Sequence, residues 1–235
     1  MDNRYIIAFE IGFDILYLIA IWTLSLLMLS RRNNLSSQVG RAPVLLAWGF
    51  LLLSLGDSGH VGFRVLAYAL GGLEEHPALI GWGAMITEIT LTILYMLILE
   101  SWRERNERQR GIVYALLAGA GIFRLLLLIV QIAQGNAAAY EQSVISNVLL
   151  IIQGLGAAIL ILLDGRKKGD RVFTNLSAMI FLSYLFYIPV PLFVKQVPAI
   201  GMLMMPKTLA YLGMAWITFA AFFREQAAIS RDNNL

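Results

Sequence analysis

Seven stretches of the chain stay apolar for longer than a helix or strand of a water-soluble core requires. They run at about 5–30, 43–70, 78–100, 111–134, 143–164, 172–195 and 198–223. A membrane-spanning helix needs roughly 20 apolar residues, with a range of about 17–25. Helix breakers fall between the stretches: Arg31-Arg32-Asn33-Asn34, Gly71-Gly72, Gly135-Asn136, and the run from Asp164 to Asp170. The pattern predicts an all-α, polytopic membrane protein in which residues 1–235 form one bundle of seven transmembrane helices. The first stretch reads as a span and not a signal peptide. It follows Met1-Asp2-Asn3-Arg4 without a basic leader, and it exceeds the 7–15 residues of a signal-peptide core.

Composition strengthens this picture. Hydrophobic residues make up 59% and charged residues 14%, and the mean hydropathy is +0.72. A soluble domain averages roughly 45–50% apolar and about 25% charged. The excess apolar surface must face lipid, which excludes a soluble enzyme and a disordered chain. With no cysteine, disulfides and thiolate metal sites are unavailable. The net charge of +3 and the pI near 9.3 suggest nucleic acid until the basic residues are located. Arg31, Arg32, Arg41, Arg103, Arg105, Arg108, Arg110, Arg166, Lys167, Lys168, Arg171, Arg224 and Arg231 all fall at one end of the bundle, against Arg4 and Lys195 at the other. By the positive-inside rule the N-terminus is expected outside and the C-terminus in the cytoplasm. The basic runs then anchor loops to lipid headgroups, and no nucleic-acid partner is expected. A faint repeat accompanies the seven spans: Pro77-Ala78-Leu79-Ile80-Gly81 before Met85 matches Pro198-Ala199-Ile200-Gly201 before Met205. A 3+1+3 parallel repeat, as in some transporters, would produce it, as would chance likeness between apolar helices.

Polar residues inside the spans carry the functional signal, since charges in hydrocarbon are costly and functional by default. Helix 1 holds Glu10 and Asp14; helix 2 holds Asp57, His60 and Arg64; helix 3 holds Glu88, helix 4 Arg124 and helix 7 Lys207. At 1.5 Å per residue, Lys207 lies about 14 Å and Glu88 about 15 Å from the outer end of their helices. Arg124, Asp14, Asp57, His60, Arg64 and Tyr187 fall near the same layer. At 100° per residue, Ser54, Asp57, His60, Arg64 and Tyr68 share one stripe, as do Glu10, Asp14 and Tyr17, while Lys207 and Tyr211 share a face. Such stripes must face protein or a water-filled cavity. Pro189 and Pro191 beside Tyr187, and Pro206 before Lys207, would loosen the backbone at this depth. Gly56 and Gly59 would let helix 2 approach a neighbour closely.

These residues point to a polar pocket. Arg64, Arg124 and Lys207 would receive the anionic group of a small zwitterionic or amphipathic ligand, and Asp14, Asp57 and Glu88 its cationic group. Trp82, Tyr187, Tyr211 and Trp216 would supply apolar walls. The competing reading is a network of ion pairs that only holds the helices together. Lys207 is expected to pair with an acid of helix 2 or 3, Glu88 slightly ahead of Asp57. No cofactor or metal is expected. His60 and His76 are the only histidines, too few for the three-histidine zinc site of membrane hydrolases of the alkaline ceramidase type, and Asp57, His60 and Glu88 match no metal-ligand spacing. An enzyme acting without metal on a lipid or isoprenoid is the alternative, with Asp57 or Glu88 as acid and His60 as proton carrier. Ser58 lies about 100° off the stripe and is a poor nucleophile candidate.

Two resemblances bear on these residues. Seven helices, an outside N-terminus and a lysine midway along helix 7 resemble the layout of microbial rhodopsins, which implies a retinal Schiff base on Lys207 with Glu88 as counter-ion. The chain departs from that family in lacking its arginine-aromatic-acid pattern on helix 3 and in carrying Leu203 where an acid is usual. The runs Gly56-Asp57-Ser58-Gly59-His60 with Arg64, Phe186-Tyr187-Ile188-Pro189-Val190, and Gly201 to Thr208 resemble those of a family of small uncharacterised bacterial membrane proteins. That resemblance implies an inner-membrane protein and supplies no activity. The expected function is binding a small ligand to sense or move it. Only eleven residues follow Arg224, so a sensor would need a separate output partner or a second copy of the chain.

Overall fold

The computed structural model describes residues 3–36, 39–135 and 144–224. Arg4, as a side chain, together with Asn136, Glu141 and Arg231, lies outside the described residues. The helices are α1 (Asn3–Ser30), α2 (Ala42–Ala69), α3 (Pro77–Asn106), α4 (Ile112–Ala133), α5 (Val144–Lys168), α6 (Arg171–Tyr187), α7 (Pro189–Phe193) and α8 (Met204–Phe222). They make seven segments long and apolar enough to cross a membrane, with α6 and α7 together forming the sixth.

Proline sets several of these boundaries. It is favoured in the first turn, where its missing N–H has no helical partner to lose; Pro43 and Pro77 stand there in α2 and α3. The sixth span is not one continuous helix to residue 195. It breaks at Ile188 because Pro189 and Pro191 offer no N–H to the carbonyls of Leu185 and Tyr187. The seventh span opens with a 3₁₀ segment, Pro198–Leu203, before α8. Pro206 therefore sits in the first turn of α8 and does not interrupt a running helix, a correction to the loosened backbone expected there.

Consecutive helices pack side by side, and α8 closes the series onto α1, so the bundle is a ring. Within it, α8 touches α1, α2 and α6, while α3 touches α2, α4 and α5. The most intimate pair is α2 with α3, and its sequence explains why. A Cβ on Gly56 would lie 3.2 Å from the Thr87 backbone, and one on Gly83 would lie 3.1 Å from the His60 Cα. Small residues let two backbones approach, and the Thr87 hydroxyl then donates to the Gly56 carbonyl at 2.9 Å.

The outer surface is apolar. In α4 the buried positions are Leu117, Gly121, Arg124 and Leu128, a single stripe at helical spacing. Around it Ile112, Leu116, Phe123, Leu126 and Ile129 are exposed, as lipid-facing residues should be. Arg124 stands on the buried stripe, so a full charge is directed into the bundle by the periodicity of its own helix. At the basic end, Arg31 Nη1 donates to the Phe223 carbonyl at 3.0 Å and its guanidinium lies over the Phe219 ring, fastening the end of α1 to that of α8.

Candidate functional site

The stripes of α1 and α2 face each other. Arg64 Nη2 donates to Glu10 Oε2 at 3.0 Å, and Tyr17 Oη donates to Asp57 Oδ2 at 2.6 Å. Seven residues along α1 match seven residues back along α2, one constant antiparallel register. The same register brings Asp14 level with His60. Glu10, Asp14, Asp57, His60 and Arg64 are all partly accessible, not sealed. Below them, Ser25 and Ser54 exchange a hydrogen bond of 3.1 Å in the fully buried seam. Ser58 accepts from Trp22 Nε1 at 2.9 Å and donates to the Ser54 carbonyl at 2.7 Å. Its hydroxyl proton is thus committed to a backbone carbonyl and, among the described residues, not to a side-chain base.

Lys207 enters this surface from α8. It is buried, with its Nζ 4.6 Å from the centre of the Tyr187 ring and 5.5 Å from that of Tyr211. A desolvated cation between two aromatic faces gains about 2 kcal/mol or more, which offsets part of the cost of burial. Tyr187 is itself oriented by donating to Asn147 Oδ1 at 3.0 Å and by an edge-on contact with Tyr184. Among the described residues no carboxylate oxygen lies within 4.0 Å of Lys207 Nζ. The carboxylate that interacts with it electrostatically is Asp57.

Glu88 is committed elsewhere. The guanidinium of Arg124, fully buried, bonds Glu88 Oε2 and Thr92 Oγ1, and also donates to the Glu88 carbonyl at 3.0 Å and the Ser146 carbonyl at 2.9 Å. Thr92 in turn donates to the Glu88 carbonyl at 2.6 Å. This lock joins α3, α4 and α5. It corrects one expectation: Glu88 pairs with Arg124 and is not the ion-pair partner of Lys207. The physical reason is the ring. Depth put Glu88 and Lys207 in one layer, but α8 packs on α1, α2 and α6, while α3 packs on α2, α4 and α5.

The eight residues singled out from the sequence thus fall into two groups. Asp14, Asp57, His60, Arg64, Tyr187 and Lys207 surround the junction of α1, α2, α6 and α8, while Glu88 and Arg124 form the lock beside it. Two further residues, Glu10 and Tyr17, share the α1 stripe but were not among those eight, yet each makes a direct bond to one of them. Their spacing from Asp14 was the available signal. Of the expected aromatic walls, Tyr187 and Tyr211 flank Lys207. Trp216 is 52% exposed, on the lipid face of α8, and Trp82 packs with Met85 and Leu128 between α3 and α4; neither lines the Lys207 surface. Among the described residues no three of His, Asp and Glu group closely enough to hold a metal ion. Comparison with family models, with curated proteins and with solved structures found no match for this chain. The chain is a multi-pass membrane protein of seven candidate spans.

Proposed function

We propose that this protein binds a small zwitterionic or amphipathic molecule inside the membrane, at the polar surface shared by α1, α2 and α8, and senses or moves it. Lys207 and Arg64 receive the anionic group, Asp14 and Asp57 the cationic group, and the rings of Tyr187 and Tyr211 flank the ligand. The Arg124–Glu88 lock is the framework that holds α3, α4 and α5 around it. The Lys/Arg asymmetry supports an outside N-terminus, which leans the surface toward the outer leaflet, and the resemblance to small bacterial membrane proteins supports a bacterial inner membrane. A signal from it passes to a separate output protein or a second copy of the chain.

One observation carries the reading. The Asp14 carboxylate, the buried His60 Nδ1 and the Lys207 ammonium, on three helices, make no hydrogen bond or ion pair among the described residues. Hydrocarbon supplies neither donors nor acceptors, and an unsatisfied buried polar group costs about 1–3 kcal/mol, more when charged. Purely structural charges would be expected to close on each other as Arg124 and Glu88 do. A ring nitrogen and two charges without hydrogen bond or ion pair, on three helices in mutual contact, suit a polar ligand that completes them.

The test is thermal unfolding of the purified protein in detergent with two probes, glycine betaine and a soluble short-chain phosphatidylcholine. At least one is expected to raise Tm in the wild type. The rise should disappear in Lys207→Met and in Asp14→Asn, which remove charge and nearly keep size. No rise with either probe, or equal rises in all three proteins, contradicts the reading.

A further inference from the structure

At the basic end of the bundle, the ends of α3 and α5 and the start of α6 frame an open, shallow cleft of about 560 Å³, lined by Arg105, Asn106, Lys168, Gly169, Asp170 and Arg171. It lies away from the intramembrane surface and forms because two helices stop beside a third that starts. Gly169, at φ +70°, ends α5 in the left-handed conformation, which glycine adopts without strain. Asp170 then caps α6, its Oδ1 accepting from the backbone N–H groups of Val172 and Phe173 at 3.1 and 3.2 Å. Two bonds tie the walls together: Arg105 Nε donates to Asp170 Oδ2 at 3.0 Å, and Lys168 Nζ donates to the Asn106 carbonyl at 3.4 Å.

The charges in the cleft are unbalanced. Three cations face a single carboxylate, and that carboxylate is spent on the α6 cap and on the Nε edge of Arg105. The two Nη groups of Arg105 and the guanidinium of Arg171 meet no protein acceptor among the described residues. The neighbouring basic residues differ. Arg103 is held by Glu100 and Glu104, and Arg108 by Asp164. Arg105 also lies over the Phe222 ring, 5.7 Å from its centre, so its fork is fixed in direction at the border between the apolar surface and the loops. Paired Nη donors of arginine match phosphate oxygens in geometry, and basic pockets at the ends of membrane helices suit anionic lipid headgroups.

We propose that this cleft binds the phosphodiester headgroup of an anionic phospholipid, with Arg105, Lys168 and Arg171 contacting the phosphate. The site is independent of the intramembrane surface, and its failure would leave that reading untouched.

The experiment is native mass spectrometry of the full chain released from nanodiscs of mixed phosphatidylglycerol and phosphatidylcholine. The wild type is expected to retain phosphatidylglycerol preferentially. Each neutralised cation should lower that preference about five-fold, the factor equivalent to ~1 kcal/mol per basic side chain at an anionic surface. Lys168→Gln with Arg171→Gln, at exposed positions that carry no ion pair among the described residues, should abolish it with little change in Tm, since the one bond lost, from Lys168 to the Asn106 carbonyl, is long and exposed. Arg32→Gln, at the same end but outside the cleft, should keep it. Unchanged preference in the double variant overturns the site. So does a wild type without lipid preference whose Tm rises with inorganic phosphate, since the cleft would then take a free anion.

Discussion

Lys207 and Arg124 are both buried cations at similar depth, yet the protein treats them differently. Arg124 spends its fork on Glu88, Thr92 and the Ser146 carbonyl, whereas Lys207 is flanked by two tyrosine rings with Asp57 as its electrostatic partner. Removing one member of a buried pair typically costs about 3–5 kcal/mol, because the other charge is left uncompensated. Arg124→Met should therefore destabilise the protein by about that much in detergent unfolding, and adding Glu88→Gln should recover a large part. A variant as stable as the wild type would refute the lock. For Lys207 the charge swap distinguishes partners: Lys207→Glu should lower Tm, with recovery from Asp57→Lys and none from Glu88→Lys. Recovery through Glu88 instead would restore the pairing that depth alone suggests. Depth was legible in the sequence, because helical rise converts position into distance. The choice of partner was not, because it depends on which helices are neighbours, and a hydropathy pattern carries no such information.

At the scale of the helix, azimuth was legible and contact register was partly so. The stripe of Glu10, Asp14 and Tyr17 and that of Asp57, His60 and Arg64 were predicted to face inward, and they meet in one register through Glu10–Arg64 and Tyr17–Asp57. Gly56 was expected to allow a close approach, and α3 takes it. The lipid-facing side of α8 was misjudged at Trp216, since an aromatic residue serves a wall or a lipid face equally well. The α2–α3 contact gives a matched prediction. Gly56→Ala places a Cβ against Thr90 and 3.2 Å from the Thr87 backbone, and overpacking of this kind typically costs about 1–3 kcal/mol. Gly62→Ala on the same helix meets nothing within 4 Å and should be neutral or gain up to about 1 kcal/mol from helix propensity. Unfolding curves of the two variants that coincide would contradict the close α2–α3 seam.

For the molecule as a whole, seven spans and a basic end were legible because lipid imposes length and composition directly on the sequence. The ring closure of α8 on α1 was not, because it arises from packing between segments far apart in the chain. The basic end predicts an orientation that labelling can check. A cysteine at Glu75, between α2 and α3, should react with an impermeant thiol reagent on intact cells, and one at Lys167 should not. Glu141 and Ser37, outside the described residues, should follow Glu75 and Lys167 respectively. The reverse pattern would turn the bundle over and lean the polar surface toward the cytoplasm. If α1, α2 and α8 leave a ring nitrogen and two charges for a ligand to complete, an experimental density map of the protein purified from its native membrane will reveal the occupant. Density for a molecule, not side chain, is expected within hydrogen-bond reach of Lys207 Nζ and of Asp14 or His60. A map in which Lys207 closes directly onto a carboxylate, with side chains filling the junction, would contradict it.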